Sequence, residues 1–330
     1  MTEGHRSLIR IHLAVLLFGF SGLFARLIHL PAWTITWGRV TFASLSLMVL
    51  FLLRGESLRM RTPRQTALAL GAGVVLAGHW SAFFQSIQTS TVAVGTLTFA
   101  TFPLFAAFLE PLIFRERLRL RDLTTASVLI LGVAILVPRA DLGDAMTRGI
   151  LWGMLGSLSF AVLSLMNRSL VRDNRGTLVA FYEQGAAALV LTPLVLLRRD
   201  PLPLPDLALL ALVGVVFTAG AHSLFIGGMR KVTARAAGVI SGLEPVYAIL
   251  GALVLLGETP SLRECLGGAV VLAAAAASSL RSARESGGSP SPAVSATLSP
   301  PWRLPTPPQG SPSPAVSATL SPNDPKEGSP

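Results

Sequence analysis

Long apolar runs alternate with short polar segments rich in arginine along most of the chain. Most of these runs are close to the length of about 20 residues that an α-helix needs to cross a bilayer core. The pattern therefore predicts an all-α integral membrane protein with ten transmembrane helices. The predicted spans are Leu8–Ile28, Trp33–Leu53, Ala67–Ile87, Val92–Phe114, Leu123–Val137, Gly149–Met166, Thr177–Leu197, Leu207–Gly228, Thr233–Leu256 and Leu262–Leu280.

The composition is that of a membrane protein. Of the 330 residues, 51% are hydrophobic and 13% are charged, and the mean hydropathy is +0.61. Soluble domains carry about 25% charged residues, so a water-soluble enzyme fold is excluded. The lone cysteine, Cys265, has no partner for an internal disulfide, and the five histidines are scattered. We expect neither a metal site nor a cofactor.

The net charge of +10 comes from basic residues in the loops. If the N-terminus is cytoplasmic, 17 Lys and Arg residues lie in the cytoplasmic segments and 6 lie on the opposite side. Basic residues accumulate in cytoplasmic loops during insertion, so both termini are predicted to face the cytoplasm. The charge is thus assigned to membrane topology, and no nucleic-acid partner is expected.

The chain contains an internal repeat. A shift of 142 residues aligns Pro103 with Pro245 and also Glu116 with Glu258. Each half holds five predicted spans, and because five is odd the halves insert in opposite orientations, as in many secondary transporters. Chance similarity between two apolar segments is the alternative. The repeat divides the chain into residues 8–138, residues 149–280 and a tail of residues 281–330.

The tail differs sharply in composition from the rest of the chain. It is rich in proline and serine, and the segment Gly288–Pro300 recurs letter for letter at Gly310–Pro322. Low-complexity sequence of this kind cannot bury a core. We therefore predict a disordered tail without a role in transport.

Glu244 is the first candidate for a substrate-binding residue. It lies in the ninth predicted span, directly before Pro245, which removes a backbone donor and interrupts the helix. An ionisable side chain at the centre of a membrane helix costs about 2.5–3.5 kcal/mol on insertion scales, so it needs a partner or a function. Glu244 is interpreted either as a carboxylate that binds a cationic group or a proton, or as a buried partner in a salt bridge or hydrogen bond to another helix.

Pro103 is the counterpart of Pro245 in the fourth span, and both are predicted kinks or hinges. Thr98 and Thr101 lie beside Pro103, where their hydroxyls can satisfy loosened carbonyls or contact the substrate. The fourth span is therefore expected to line the site.

The third span combines polar and aromatic side chains. His79 and Trp80 lie near its centre and Gln85 lies farther out, a combination typical of a cavity for an organic solute. Histidine titrates near neutral pH, so His79 is a candidate proton site. A hydrogen bond between helices is the alternative role for this histidine.

Arg39 in the second span lies well inside a predicted helix. Pairing with a carboxylate is the favoured interpretation, with binding of a substrate carboxylate and snorkelling to the interface as the alternatives. The seventh, eighth and ninth spans add further candidates for substrate contact. These are Glu183, His222 and Tyr247.

Two segments resemble the paired signature of EamA-type members of the drug/metabolite transporter superfamily. In that family the fourth helix of each half carries a proline that a glutamate follows. Pro103 and Glu116 match this pattern in the first half, and Pro245 matches it in the second, followed by Glu258. Arg39 matches an arginine that is common in the second helix of the family. The segments are Gly95–Leu136 and Gly238–Leu272.

The resemblance covers nearly all of residues 8–280 and implies a ten-helix inverted-repeat carrier in an inner or plasma membrane. Members often export amino acids or related metabolites, and relatives move nucleotide sugars or phosphorylated sugars. Two features depart from the family. The first half has Arg115 where the second keeps Gly257 before the glutamate, and the proline-rich tail is not a family feature.

A secondary carrier that works by alternating access is the leading hypothesis. Glu244 and Arg39 suit a zwitterion such as an amino acid, with sugars, nucleosides or drug-like cations as alternative small-molecule substrates. A P-loop is absent, so a coupling proton or an exchanged solute is expected to supply the energy. The expected assembly in the lipid bilayer is a monomer or a homodimer.

An intramembrane enzyme is the alternative from another class. All seven aspartates fall in predicted loops or the tail, which removes an aspartyl-protease pair, and the HExxH motif is absent. No motif supports a serine–histidine dyad with His79 or His222. A channel is disfavoured because paired prolines in the membrane suit a moving carrier. We therefore predict no enzymatic activity.

Overall fold

The computed structural model describes residues 3–114, 120–137, 141–171, 173–228 and 240–286, and this part of the chain is all-helical, as predicted. The tail predicted to be disordered from residue 281 is helical as far as Ser286, because this stretch holds the helix formers Ala, Arg and Glu and no proline. The rest of the predicted tail and the start of the ninth predicted span lie outside the described residues. The first half contains α1 (Glu3–Ser21), α2 (Phe24–Leu27), α3 (Ala32–Arg54), α4 (Pro63–Thr89), α5 (Val92–Phe99), α6 (Phe102–Phe114) and α7 (Leu120–Leu136). The second half contains α8 (Ala145–Leu170), α9 (Gly176–Arg198), α10 (Leu204–Gly214), a π-helical segment (Val215–Gly220), α11 (Ala221–Gly228), α12 (Glu244–Leu256) and α13 (Leu262–Ser286).

Six helical stretches have the length and the apolar composition to cross a membrane. Together with three shorter apolar helices and α13, they overlap all ten predicted spans, so the multi-helix membrane fold is confirmed. The six stretches are His5–Leu27, Ala32–Arg54, Pro63–Thr89, Ala145–Asn167, Gly176–Arg198 and Leu204–Phe225, and the shorter helices are Val92–Ala106, Leu123–Leu136 and Glu244–Leu256.

Local sequence sets several helix ends. The Thr62 hydroxyl accepts a hydrogen bond from Gln65 N at the start of α4, and Pro63 occupies the first turn. Asp144 caps α8 in the same way. At the end of α3, Gly55 adopts a left-handed conformation (φ 58°) that glycine takes without strain. Capping residues therefore locate helix ends more closely than the apolar pattern does.

The two halves of the sequence share their hydrophobic cores. One buried cluster contains Phe84 of the first half and Leu210 of the second. Another contains Leu129 of α7 and Val271 of α13. Lipid tails are as apolar as these side chains, so close packing rather than exclusion of water holds such helices together.

Small residues permit the closest helix contacts. A Cβ on Gly73 of α4 would lie 2.5 Å from the carbonyl oxygen of Glu183 on α9. A Cβ on Gly19 of α1 would lie 2.7 Å from the carbonyl oxygen of Glu244 on α12. Both distances are shorter than real Cβ contacts, so these two helix pairs touch backbone to backbone at glycine.

Large apolar side chains cover much of the outer surface. Leu53 is 81% exposed, Leu197 is 82% exposed and Val254 is 78% exposed. Apolar surface on this scale is unfavourable in water and is what a lipid-facing surface requires. The exposed leucines and valines therefore mark the face that meets the bilayer.

Four predicted spans are interrupted. Turns separate α1 from α2 at Gly22–Leu23 and α5 from α6 at Ala100–Thr101, and a third turn precedes α12 at Gly242–Leu243. The eighth predicted span contains the π segment. Pro103 and Pro245 lie in the first turns of α6 and α12, where the missing backbone donor costs nothing. The fourth span is therefore two helices rather than one bent helix.

Candidate substrate site

Arg39 is the centre of a buried polar cluster. The residue is 3% exposed, its Nε donates a hydrogen bond of 2.7 Å to Thr218 Oγ1, and its Nη1 donates one of 3.5 Å to Ser21 Oγ. The guanidinium carbon lies 3.7 Å from the centroid of the Trp80 ring, which is a cation–π distance. Hydroxyl groups and an aromatic face therefore hold the buried cation.

Both hydroxyl partners of Arg39 lie where a helix is irregular. Ser21 is the last residue of α1 and donates to the carbonyl oxygen of Phe18 (2.7 Å). Thr218 lies in the π segment and donates to the carbonyl oxygen of Val213, five residues earlier (2.8 Å). A π turn disrupts the ordinary hydrogen-bond ladder, and this hydroxyl satisfies one of the affected carbonyls. Arg39 thus connects α3 to two helix interruptions.

Glu244 belongs to the same region. It is the first residue of α12, and its charge interacts with that of Arg39. Within the described residues neither side chain forms an ion pair. The direct carboxylate pair favoured for Arg39 on sequence grounds is therefore absent from this conformation, because Thr218, Ser21 and Trp80 surround the guanidinium.

Two histidines flank the arginine, and the charge of Arg39 acts on both. His79 is 3% exposed, and its Nδ1 lies 2.8 Å from the carbonyl oxygen of Gly156 on α8. A carbonyl only accepts, so Nδ1 carries the proton. The His222 ring lies 5.2 Å from the Phe18 ring, edge to face. We call the following residues the Arg39 cluster: Ser21, Arg39, His79, Trp80, Thr218, His222 and Glu244.

An aromatic layer borders the Arg39 cluster on the side of His79. The ring centroid of His79 lies 5.4 Å from that of Phe99 and 5.2 Å from that of Phe160. Phe99 also contacts Phe83 at 5.6 Å and Phe102 at 6.1 Å. These separations are typical of interacting aromatic pairs, so the layer is a continuous apolar wall. In the described ranges no three His, Cys, Asp or Glu side chains are grouped to hold a metal ion.

Thr98 and Thr101, predicted beside the site, contact α8. Thr98 Oγ1 donates to the carbonyl oxygen of Val94 in its own helix (2.7 Å), and a Cβ on Gly153 would lie 1.8 Å from that hydroxyl. Thr101 Oγ1 lies 3.1 Å from Ser157 Oγ. The two threonines therefore pack the turn between α5 and α6 against α8.

Gln85 and Tyr247 also make their contacts outside the Arg39 cluster. Gln85 Nε2 donates to Thr89 Oγ1 in its own helix (3.0 Å). The Tyr247 hydroxyl lies 3.4 Å from His12 Nδ1 near the start of α1. Neither of these hydrogen bonds involves a residue of the Arg39 cluster.

Glu183 is buried at a separate position. It is 6% exposed, Asn167 of α8 is its hydrogen-bonding neighbour, and its Oε1 has no hydrogen-bond partner among the described residues. Its backbone lies against Gly73, six residues before His79 on α4. That spacing corresponds to about 9 Å along the helix. Glu183 is therefore a second buried ionisable group, separate from the Arg39 cluster.

Glu258 joins the two halves at the end of the bundle where α1 and α2 finish. Its Oε1 lies 2.9 Å from Nε of Arg26, and its Oε2 accepts a hydrogen bond of 3.0 Å from Val92 N at the start of α5. Arg26 also donates to the Ser90 carbonyl oxygen. Gly257 (φ 68°) ends α12 in a left-handed conformation that turns Glu258 towards α5. The Gly-Glu pair therefore serves as a turn and a helix cap.

Ion pairs also join the loops at the opposite end of the bundle. Nη1 of Arg61, before α4, lies 3.1 Å from Oδ1 of Asp173, before α9. Nη1 of Arg175 lies 2.6 Å from Oε2 of Glu56. These pairs connect the loop after α3 to the loop after α8, so described contacts close both ends of the bundle.

Sequence reasoning missed Ser21, Thr218 and Phe160. Thr218 is one hydroxyl in the apolar string VVFTAG, and Ser21 lies between Gly19 and Gly22. A small polar residue inside an apolar run was the available signal, but it does not reveal which distant helix supplies the partner.

One family of membrane transporters matches the chain twice, once in each half. The model of the EamA-like transporter family matches residues 6–137 and again residues 147–280. The chain belongs to the EamA-like transporter family. This EamA-like transporter is thus a multi-pass membrane protein that carries a small-molecule substrate across the lipid bilayer. Its family and its relatives are those of a transporter rather than of an enzyme.

Curated relatives of this EamA-like transporter are also transporters. It is 22% identical over 280 residues to the uncharacterized transporter YxxF of Bacillus subtilis (strain 168), covering 83% of this chain and 90% of the relative. It is 28% identical over 265 residues to an uncharacterized transporter of Archaeoglobus fulgidus, covering 80% and 92%. A solved crystal structure superposes with a TM-score of 0.59 at 20% identity, covering 86% of this chain and 99% of that one, which supports the fold alone.

Proposed function

We propose that this transporter is a secondary carrier that exports amino acids or closely related zwitterionic metabolites. The observation that carries the proposal is the buried Arg39, whose charge interacts with that of Glu244 without a direct ion pair in the described part of the chain. A zwitterion placed between them would present its carboxylate to the guanidinium and its ammonium group to Glu244.

The guanidinium retains the chemistry that such a ligand needs. It carries five N–H donors, and its hydrogen bonds to the described residues use Nε and Nη1. Trp80 packs against the guanidinium carbon, and a planar carboxylate would bind at the remaining N–H donors. A buried cation is costly without a counter-charge, so an incoming carboxylate would gain from charge already desolvated by the protein.

Alternating access of two inverted five-helix repeats is the proposed mechanism. Helix interruptions at Gly22–Leu23 and Gly242–Leu243 lie next to the Arg39 cluster and supply places where the backbone can bend. The contacts of Glu258 at one end and of Arg61 at the other are polar and partly exposed, so each can open without uncovering a large apolar core. We place the protein in the cell's inner membrane with both termini in the cytoplasm, on the charge bias of the loops.

The test is counterflow in proteoliposomes. Vesicles that hold purified full-length protein are loaded with a mixture of unlabelled amino acids, and labelled amino acids are added outside one at a time. We expect exchange of at least one amino acid by the wild type and a loss of about tenfold or more in Glu244→Gln, because a charge-assisted hydrogen bond contributes about 1.5–3 kcal/mol.

Asp141→Asn is the matched control, since it makes the same carboxylate-to-amide change in an exposed loop, where the side chain accepts a hydrogen bond from Gly143 N. Its exchange rate should stay close to that of the wild type. Unaltered exchange in Glu244→Gln would remove Glu244 from the site. Exchange of sugars, nucleosides or drug-like cations by folded wild-type protein, with none of any amino acid, would overturn the proposed substrate class.

A further inference from the structure

We propose that Glu183 and Asn167 form a proton-binding site that couples transport to a proton gradient. This inference rests on the proposed carrier function, but part of its test does not. The site lies between α8 and α9, and its protonation adds one O–H bond at the Glu183 carboxyl group and removes one negative charge. The proton comes from water on one side of the membrane and returns to water on the other.

The site contains two buried oxygens that lack hydrogen-bond partners. Glu183 Oε1 and Asn167 Oδ1 are both buried, and neither has a hydrogen-bond partner in the described part of the chain. A buried polar atom without a hydrogen-bond partner is unfavourable. The Asn167 amide donates a hydrogen bond to the ionised carboxyl group of Glu183, which leaves its own Oδ1 unpaired. A proton on Glu183 supplies the donor that this oxygen lacks. Protonation therefore reduces the number of buried oxygens that lack a hydrogen-bond donor.

The charge balance around Glu183 also favours a proton. Glu183 makes no ion pair within the described ranges. A lone carboxylate inside a membrane protein is unfavourable, whereas the neutral acid is tolerated. α3, α4 and α11 are packed against α9, and α8 supplies Asn167. Besides Glu183, the described cationic and titratable side chains on these five helices are Arg39, Arg54, Arg64, His79, Arg148, Tyr182, Arg198 and His222.

A metal cation fits this position less well. Cations bound by oxygen ligands take about six of them, whereas among the described residues the unpaired buried oxygens near this position are a carboxylate oxygen and two amide oxygens. One of the amides, on Gln184, is the sequence neighbour of Glu183 and projects from a different side of α9. A single proton needs only one acceptor nearby, and Asn167 provides it.

The site is mechanically linked to the Arg39 cluster through α4. The backbone of Glu183 meets α4 at Gly73, where the two helices touch without an intervening side chain. His79 and Trp80 of the Arg39 cluster lie about 9–10 Å farther along the same helix. A change of charge at Glu183 thus acts on the helix that carries the cation–π partner of Arg39, which is the connection that coupling requires.

Infrared spectroscopy of the full-length protein in lipid tests the proton site without any substrate. We expect the wild type to show the carbonyl stretch of a buried protonated carboxyl group, and this band to disappear as the pH rises. The band should be missing in Glu183→Gln and retained in Glu264→Gln. Glu264 is the matched control because it is equally buried (6% exposed) but accepts hydrogen bonds from Thr91 Oγ1 and Ser261 N.

Absence of any such band in the wild type would overturn the proposal, as would its persistence in folded Glu183→Gln. If Glu183→Gln does not fold, Asn167→Ala replaces it. Removal of the amide should shift the frequency of the same band, and an unshifted band would show that the protonated group is elsewhere.

Coupling is tested in the proteoliposomes with an imposed pH difference. A carrier that exchanges one proton for one solute accumulates solute by up to about tenfold per pH unit. We expect the wild type to accumulate solute, and Glu183→Gln to retain counterflow but reach a ratio of about one. Accumulation by Glu183→Gln equal to that of the wild type would refute coupling at this residue. Loss of counterflow in the wild type itself would instead refute the proposed function.

Discussion

The close contact between α4 and α9 at Gly73 predicts that a larger side chain at this position lowers the stability of the protein. A Cβ at this position would lie 2.5 Å from both the Glu183 carbonyl oxygen and the Ala186 Cβ. Ordinary contact begins near 3.4 Å, so Gly73→Ala must push the two helices apart by about 0.9 Å. Neither obstacle is a flexible side chain, and overpacking of this kind costs about 1–3 kcal/mol.

Gly78→Ala in the same helix is the matched control, because nothing lies within 4 Å of a Cβ at Gly78. Both substitutions gain the same helix propensity, about 0.5–1 kcal/mol, so this gain cancels when the two variants are compared. The difference between them is the packing cost alone. We expect the Tm of Gly73→Ala to lie about 2–10 °C below that of Gly78→Ala in thermal unfolding of purified protein.

Equal unfolding temperatures for the two variants would refute the close approach of α4 and α9. The same result would remove the link on which the coupling of Glu183 to the Arg39 cluster depends. A low Tm for both variants would show instead that α4 has no space at either glycine. Size-exclusion profiles of the two variants establish that the native fold is compared.

Two further predictions concern Arg39 and Glu258. Arg39→Lys keeps the charge but loses the planar guanidinium beside Trp80, so we expect the KM for counterflow to rise about tenfold. Membrane insertion and Tm should change little. An unchanged KM would exclude substrate contact by Arg39. Glu258→Ala removes both the cap on Val92 and the ion pair with Arg26, and should cost about 1–2 kcal/mol in thermal unfolding. Glu258→Gln should recover most of that loss through the cap, and equal losses in both variants would mean that the ion pair dominates.

Helix positions were largely predictable because span length and apolar composition are local properties. The second predicted span, Trp33–Leu53, and the helix Ala32–Arg54 differ by one residue at each end. The π segment was not predictable, since the string VVFTAG is as apolar as an ordinary helix and its irregularity depends on neighbours. The prolines were predicted as kinks, but Pro103 and Pro245 lie in the first turns of α6 and α12, because the missing backbone donor costs nothing there.

The candidate site was predictable in its residue types and less so in its partners. An ionisable residue inside an apolar span is costly and is therefore a candidate functional residue. This reasoning identified Arg39, Glu244 and Glu183. Hydropathy cannot show that Arg39 lies against Thr218, 179 residues away. It also cannot show that Glu183 lies outside the Arg39 cluster. Those relations follow from tertiary packing of helices whose lipid-facing and buried sides have nearly the same composition.

The π segment sets the direction in which α11 faces. A π turn accommodates one residue more than an α turn, so every side chain after Gly220 is rotated by about 100° from where a regular helix would carry it. His222 meets Phe18 and the region of Arg39 only because of that rotation. Deletion of a single residue between Val215 and Gly220 would leave an apolar helix of ordinary appearance, with its histidine turned away from the arginine. In this span the phase of the helix, rather than its composition, decides which residues share the cluster.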